Sequence, residues 1–344
     1  MNRWRMPAEW EPHERTWMAF PPANETFGDD GSSTLRSART AWVDVANMIA
    51  RYEPVTMIAG LDQGRLASAQ TGPGVTVIER PIDDAWMRDI GPTFTLDGPE
   101  LGAVDWVFNG WGGQEWASWD RDALLASDVA GLSGADVRHS PLTNEGGGIH
   151  VDGAGTVLLT DTVQLDANRN PGWTREQVEA EVHTQLGTHH AIWLPRGLTR
   201  DYDEFGTRGH VDIVASFIRP GLVAAHAQRD PAHPDFDVTT ELIGILRASR
   251  DATGRDLEVV EVPAPVVLEV DDAWTDYSYI NHYVGNGFVV VGTFGDANDE
   301  DALALLARLY PGRSIERADG RAIFAHGGGV HCITQQQPRV IDAA

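Results

Sequence analysis

The stretch Asn144-Glu145-Gly146-Gly147-Gly148-Ile149-His150 places an acid, a glycine run and a histidine beside the apolar run 155–160. Four other stretches lie at similar places, where an apolar run meets a turn: 83–91, 208–212, 279–283 and 326–338. Three of them carry acidic residues or glycines, and 279–283 carries Asn281 and His282. Successive stretches lie roughly 50 to 75 residues apart, which indicates a repeated supersecondary unit. Five such units would close on themselves.

Helical spacing separates these stretches and predicts the α/β class. The predicted helices are 38–52, 120–130, 174–186, 239–249 and 298–310, and the predicted strands are 54–59, 74–79, 155–160, 210–217, 222–225, 257–262, 287–292 and 321–324. Thr174 and Gln177 form a predicted capping box, and Asp120 is a predicted N-cap. Since no Ser/Gly linker or composition shift divides the chain, we expect one domain over 1–344.

The composition is that of a globular protein with a strongly acidic surface. Among 344 residues, 26 Lys+Arg oppose 51 Asp+Glu, and the formal net charge is -25. This charge argues against nucleic acid or an anionic membrane as partner and suits a small cation, although acidity also serves solubility. The first residues lack the apolar core of a secretory signal, so we expect a cytoplasmic protein.

Cys332 is the only cysteine in the chain. It follows the glycine run 327–329 and precedes three glutamines, which can donate or accept hydrogen bonds. A buried small hydrophobe is one interpretation. The other is a nucleophile, which requires a base and groups that bind the electrophile.

His210 and Asp212 stand two residues apart in a strand-like run, so alternation predicts that they face the same way. A structural pair is equally compatible with this pattern. Two ligands fall short of the three or four that zinc needs, and His139, His150, His189, His190 and His233 show no metal-ligand spacing.

Asp89 and Glu145 are acids at places where folding does not require a charge. Because a buried carboxylate needs a partner, Asp89 is predicted to pair either with Arg88 or with a cationic ligand. Glu145 is either a turn residue or a ligand-binding acid with glycines that permit close approach.

Together, Asp89, Glu145, His210, Asp212 and Cys332 suit the chemistry of a guanidinium. Carboxylates can hold this planar cation, a thiol can attack its central carbon, and a histidine can move the protons. The carboxylates oppose the thiolate, so we expect Cys332 to be protonated until the cation binds.

Specific motifs spread from about residue 6 to 338 resemble the agmatine deiminases, within the wider peptidylarginine deiminase-like group. They are 6–13, 84–93, 108–113, 145–152, 193–197, Gly209-His210-Val211-Asp212 and His331-Cys332-Ile333-Thr334-Gln335-Gln336. The resemblance implies the pentein fold, a five-bladed α/β propeller with fivefold pseudosymmetry and an active site on its axis, as a single catalytic domain. It also implies conversion of agmatine to N-carbamoylputrescine and ammonia, without metal or organic cofactor.

The resemblance implies roles for the five residues. Cys332 would form the covalent amidino-thioether, His210 would be the general acid and base, and Asp89, Glu145 and Asp212 would bind the guanidinium or orient the histidine.

Departures from the family pattern concern the substrate's far end. The candidates for binding the substrate are Asp83, Trp86, Arg208, Gly328 and Gly329. Arg208 and Gly329 stand where the family usually has asparagine. A cationic Arg208 would repel agmatine's ammonium unless Asp203 or Glu204 neutralises it, so arginine, C-terminal peptidylarginine or another N-alkylguanidine stays an alternative.

Three other functions remain open at this point. An amidinotransferase would use the same intermediate, a guanidine-binding module would need the carboxylates but not the thiol, and a metal hydrolase is the weakest alternative. The expected partner is a small cationic guanidine, and the sequence leaves open whether copies of the chain associate into a homo-oligomer.

Overall fold

Five sheets repeat one pattern in the computed structural model, which describes residues 4–267, 269–270 and 273–340. In each sheet an antiparallel strand pair is followed by a helix that leads to a third, parallel strand. The first sheet holds β1 (His13–Ala19), β2 (Val55–Ala59), β3 (Val75–Glu79) and β18 (Gln335–Pro338). The others hold β4–β6 (Thr93–Asp97, Glu100–Val107, Asp136–Thr143), β7–β9 (His150–Val151, Thr156–Thr160, His190–Leu194), β10–β12 (Ala215–Arg219, Leu222–Ala227, Glu258–Pro263) and β15–β17 (Tyr283–Gly285, Phe288–Thr293, Ser314–Asp319).

The helices and one small ribbon complete the described structure. Helices α1 to α10 are Ser33–Ile49, Gly64–Gln70, Met87–Ile90, Gly110–Gly113, Asp122–Ser133, Asp161–Gln164, Arg175–Leu186, Asp235–Ala248, Asp299–Leu309 and Arg321–Phe324. Short 3-10 turns are Gly146–Gly148, Thr199–Tyr202 and Val211–Ile213, and the ribbon pairs β13 (Glu269–Val270) with β14 (Ala273–Trp274). Within the described ranges, no helix combines the length and the apolarity needed to cross a membrane.

The five quoted stretches occupy equivalent places in the five sheets. The stretches 83–91, 144–150, 208–212, 279–283 and 326–338 lead into β4, β7, β10, β15 and β18, each of which pairs antiparallel with its neighbour. The five-bladed propeller predicted from the repeat and the resemblance is therefore confirmed. The fivefold arrangement brings residues far apart in sequence to one place.

The ring closes through the pairing of β18 with β1. Gln335 lies opposite Trp17 and Gln336 opposite Thr16 in antiparallel register. Cys332 stands three residues before β18, so this pairing also anchors the segment that carries the thiol.

The long helices form close to where the sequence predicts them, because each buries an apolar face, and two of the five, α1 and α7, also begin at a side-chain cap. In α1, Leu35, Trp42 and Ile49 are fully buried on one face, and the Ser32 hydroxyl accepts a hydrogen bond from the Leu35 N–H. The Thr174 capping box is confirmed. The Asp120 cap is wrong, since α5 begins after Arg121.

One strand prediction is wrong, and another is wrong in part. Residues 321–324 form the helical turn α10, because four apolar-rich residues are too short for periodicity to separate helix from strand. The run 210–217 begins with a 3-10 turn, and its strand starts at Ala215. The Asp201 carboxylate accepts hydrogen bonds from the N–H groups of Gly209 and His210, so the backbone there is shaped by a side chain instead of a neighbouring strand.

Glu53 ties the first sheet to the fifth. Its buried carboxylate accepts hydrogen bonds from Thr16 Oγ1 at 2.6 Å and from the Asn286 N–H at 2.8 Å, and it lies 3.0 Å from His13 Nδ1. Asn286 belongs to the turn between β15 and β16, so the Glu53 side chain joins both sides of the seam between the first and fifth sheets.

We expect Glu53→Ala to lower the free energy of unfolding by about 3 kcal/mol, because it leaves several buried donors unpaired. Urea denaturation measures the change. The exposed Glu258→Ala is the control, and its effect should stay within about 0.5 kcal/mol. Equal effects of the two substitutions would contradict the role of Glu53 at the seam.

Candidate active site

Gly147 marks the point at which three predicted residues meet. A Cβ placed on Gly147 would lie 2.4 Å from His210 Nδ1, 3.0 Å from Asp89 Oδ1 and 3.1 Å from Asp212 Oδ2. The Gly147 N–H donates to Asp89 Oδ1 at 3.0 Å. All four residues are buried, and they border one small space that a glycine leaves open.

The Cys332 thiol borders the same group. Its Sγ lies 3.7 Å from Asp212 Oδ2 and accepts from Asn281 Nδ2 at 3.3 Å and from the Gly329 N–H at 3.4 Å. Burial, together with the nearby carboxylates of Asp212 and Asp89, raises the pKa of Cys332 well above its usual value. The prediction of a protonated thiol in the free protein is confirmed.

His210 is held from the opposite side by Glu145 and Arg169. Its Nε2 lies 3.3 Å from Glu145 Oε2, and Arg169 Nε donates to both oxygens of Glu145 at 2.9 and 3.1 Å. Burial acts to lower the pKa of His210, but the charges of Asp89, Glu145 and Asp212 outweigh it and raise this pKa to about 9. His210 is therefore an imidazolium near neutral pH, and Glu145 is a buried partner of two cations instead of a turn residue.

Asp89 does not use Arg88 as its partner. Its Oδ2 accepts from Trp111 Nε1 at 2.9 Å, whereas Arg88 donates to Gln336 Oε1 at 2.7 Å. Both residues lie in the single turn of α3, which directs consecutive side chains to different surroundings. The predicted Arg88–Asp89 pair is wrong, and Asp89 faces the space beside His210.

A small cavity lies beside the thiol, and half of its lining residues are aromatic. Its described lining residues are Trp86, Asp89, Trp111, Trp116, Phe205, Thr207, Gly327 and Cys332. Trp111 stacks on Trp116 with ring centroids 5.2 Å apart, and Trp116 contacts Phe205 at the same separation. The cavity thus places aromatic faces beside a buried acid and the thiol.

The remaining predicted substrate contacts fall in different places. A Cβ on Gly328 would lie 2.8 Å from Trp86 and 3.1 Å from Sγ, so this glycine lies against the cavity. A Cβ on Gly329 would instead meet Asn281 Oδ1 at 2.3 Å. Asp83 accepts from the Arg121 N–H at 2.7 Å and does not line the cavity.

Arg208 is neutralised by a residue that the sequence did not suggest. Its Nη1 lies 3.7 Å from Asp166 Oδ2, an acid that also contacts Arg169. The partners expected from the sequence were Asp203 and Glu204. Because Asp166 is far from Arg208 in the chain, local sequence could not identify this pair.

Four further residues complete the site. Arg169 supports Glu145, Asn281 bonds the thiol, and His331 and Glu9 stand behind Asp212. Asn281 lies in the quoted stretch 279–283, at the position equivalent to those of the other site residues, and that place was the available signal. His331 lies in the stretch 326–338 and Glu9 in the motif 6–13, but their roles were not predicted because their partners lie far away in sequence. Arg169 lies in no quoted stretch or motif.

Glu9, His150 and His331 form a cluster that sequence spacing could not reveal. Their potential metal-ligand atoms all lie within 4.8 Å of one another. However, Arg88 Nη2 lies 3.7 Å from Glu9 Oε2, and both ring nitrogens of His331 already face carboxylates. A neighbouring guanidinium opposes the binding of a metal cation.

Comparison with known proteins places the chain in a family. The family model for Porphyromonas-type peptidyl-arginine deiminase matches residues 5–338. The chain belongs to this family. It is an enzyme that acts on guanidino groups.

Individual family relatives cover nearly the whole chain. A Streptomyces coelicolor protein, provisionally named an agmatine deiminase, is 61% identical over 97% of this chain and 99% of its own length. The agmatine deiminase of Stutzerimonas stutzeri is 38% identical over 97% of this chain and 95% of its own. The solved structure of the Enterococcus faecalis agmatine deiminase has a TM-score of 0.92 at 32% identity, with 98% and 97% of the two chains covered.

We expect Gly147→Ala to lower kcat at least 100-fold, because its Cβ would occupy the space between His210 and the two aspartates. Gly131→Ala in α5 is the matched control, since a Cβ there has nothing within 4 Å, and it should keep wild-type kcat. Steady-state kinetics and melting temperatures of both variants test this. A folded Gly147→Ala with normal kcat would contradict the location of the site.

The protonation of the site predicts a pH-dependent stability. Because the pKa of His210 is raised to about 9, its stabilising effect is complete below about pH 6.5 and is lost as pH rises through 9. The raised pKa of Cys332 acts in the same direction. We expect the free energy of unfolding to fall by up to about 3 kcal/mol between these pH values, with a shallower fall in His210→Gln. Urea titrations at several pH values measure both slopes, and equal slopes would refute the assignment.

Proposed function

We propose that the chain hydrolyses agmatine to N-carbamoylputrescine and ammonia through a covalent bond to Cys332, with the five-sheet ring acting as one catalytic unit. The observation that carries this proposal is the convergence of Cys332, His210, Asp89 and Asp212 around Gly147. A nucleophile, an acid and two cation-binding carboxylates then face one planar group.

Asp89 and Asp212 are proposed to hold the guanidinium. Asp89 Oδ1 and Asp212 Oδ2 lie 3.0 and 3.1 Å from a Cβ placed on Gly147, so both carboxylates border the same space, and Asp212 Oδ1 is buried without a hydrogen-bond partner. Both oxygens of Glu145 contact Arg169, and one also faces His210. We therefore assign Glu145 to orienting His210 and the two aspartates to the substrate.

The bound cation is proposed to activate the thiol. A guanidinium about 4 Å from sulfur at an effective dielectric near 20 contributes about 4 kcal/mol, or roughly three pKa units in favour of the thiolate. This contribution opposes the burial and the carboxylates that keep the free thiol protonated. Substrate binding thus brings the electrophilic carbon to the site and at the same time favours the thiolate that attacks it.

The chemical steps use the protons already present. The Cys332 thiol gives up its proton to solvent as the guanidinium binds, and the thiolate Sγ forms a bond to the guanidinium carbon. His210 then donates a proton as the C–N bond breaks and ammonia leaves. Water attacks the amidino-thioether carbon, and neutral His210 accepts one of its protons. The C–S bond breaks to release the ureido product, and the second water proton returns to Sγ. His210 begins as the imidazolium that the first step needs.

The cavity favours agmatine over arginine. None of its described lining residues is a cation that would pair with an α-carboxylate, and Arg208 is paired with Asp166. The aromatic walls formed by Trp86, Trp111, Trp116 and Phe205 suit an aliphatic chain and attract a terminal ammonium. Relatives named agmatine deiminases support the same substrate.

A substrate panel tests the proposal. We expect ammonia and N-carbamoylputrescine from agmatine, with kcat/KM at least 100-fold higher than for arginine, and no turnover by Cys332→Ala. Mass spectrometry should detect a covalent adduct between wild type and a haloacetamidine, absent in Cys332→Ala. Turnover of none of agmatine, arginine and simple alkylguanidines would refute the proposal. An amidinated amine formed on adding amine acceptors would replace hydrolysis with transfer.

A further inference from the structure

His331, the neighbour of the thiol in sequence, bridges two buried carboxylates. Its Nδ1 lies 2.7 Å from Asp212 Oδ2, and its Nε2 lies 2.7 Å from Glu9 Oε2. His331, Asp212 and Glu9 are each at least 93% buried. Since a carboxylate accepts hydrogen bonds, this geometry calls for an N–H on both ring nitrogens, the arrangement of an imidazolium.

Glu9, at the far end of the hydrogen-bonded series Asp212–His331–Glu9, is itself bonded to the protein backbone. Glu9 Oε1 accepts from the Val284 N–H in β15 at 2.7 Å, and Arg88 Nη2 lies 3.7 Å from Glu9 Oε2. The His331 N–H also donates to Asn281 Oδ1 at 3.0 Å, so the residue is held by its backbone as well as its ring. The imidazole has no freedom to turn away from Asp212.

The near end holds the Asp212 carboxylate beside the thiol. The Oδ2 that faces His331 also lies 3.7 Å from Cys332 Sγ and borders the space at Gly147, whereas Oδ1 is buried and has no hydrogen-bond partner. Burial would raise the pKa of Asp212, but the hydrogen bond and charge of His331 and the charge of His210 lower it. An anionic Asp212 with a fixed carboxylate plane can accept a guanidinium without reorganising.

We propose that His331, braced by Glu9, is a positioning residue that fixes the Asp212 carboxylate beside Cys332 in the orientation that binds the guanidinium. This inference rests on the proposed guanidine hydrolysis and adds an element to it. His331 does not touch the reacting atoms and acts through Asp212. Glu9 serves the same function one step further away.

Two variants test the proposal at different distances from the substrate. His331→Asn removes one of the two hydrogen bonds that residue 331 makes to the carboxylates of Asp212 and Glu9. We expect KM for agmatine to rise at least 10-fold and kcat to fall at least 10-fold. Glu9→Gln keeps the shape of the side chain but removes a charge that stabilises the imidazolium. We therefore expect the activity of Glu9→Gln to decline at a lower alkaline pH than the activity of wild type. If Glu9 only supported the fold, its substitution would leave this alkaline decline at the wild-type pH.

His282→Gln is the matched control. His282 is also buried and near the propeller axis, but it bonds the Tyr279 carbonyl and the Tyr310 hydroxyl and no carboxylate. We expect it to lower the melting temperature while keeping the wild-type KM and pH profile.

The outcomes separate this inference from the proposed function. If wild type does not turn over any guanidine, the proposed function fails. The positioning role alone is refuted if wild type is active while Glu9→Gln and His331→Asn both fold, keep KM within 2-fold of the wild-type value and lose activity at the same alkaline pH as wild type. Loss of wild-type activity on chelation, restored by Zn²⁺, would also overturn it, because Glu9, His150 and His331 would then be metal ligands.

Discussion

Mutual repulsion among buried acids is the constraint that organises this protein's interior. Asp89, Glu145 and Asp212 surround His210 in a region that excludes water. Their charges would be costly there without compensation, and the fold supplies cations at separate points: Arg169 beside Glu145 and His331 beside Asp212. Asp89 accepts hydrogen bonds from two neutral donors, Trp111 and Gly147, and the nearest cationic atom, His210 Nδ1, lies 3.8 Å from its Oδ1. Burial with the other acids raises the pKa of Asp89, and a guanidinium in the cavity would add a second cation beside it.

The fivefold architecture explains why residue types were easier to predict than their partners. The five quoted stretches each precede one strand at the same level of the ring, so their side chains converge whatever lies between them. The thiol, the histidine and the carboxylates could therefore be identified from sequence alone. The residues that pair with these acids could not be identified in this way. Arg169 and Glu9 lie outside the five stretches, and Arg88 reaches Glu9 and Gln336 instead of adjacent Asp89.

Local chemistry decided the remaining differences between sequence and structure. His210 was expected in a strand, yet Asp201 bonds the backbone on both sides of Gly209 and produces a turn. Within the part of the chain that the structure describes, four non-glycine residues have positive φ, and three of them, Trp111, Phe205 and Arg208, lie in or beside the cavity wall. Such conformations are disfavoured for L-residues and persist only where surrounding contacts enforce them. Here they bring aromatic faces to the wall, which hydrophobic periodicity alone does not encode.

The pairing of β18 with β1 also has a consequence for the order of biosynthesis. The ribosome makes β1 early, but that strand must wait for Gln335–Pro338 before it gains its antiparallel neighbour. Closing a loop of this length is entropically slow, so sheets whose strands are close in sequence can form first. The Cys332 segment leads directly into the late strand. A nascent chain therefore contains most of the acids of the site before Cys332 is synthesised, and the thiol joins a ring whose other sheets can already have formed.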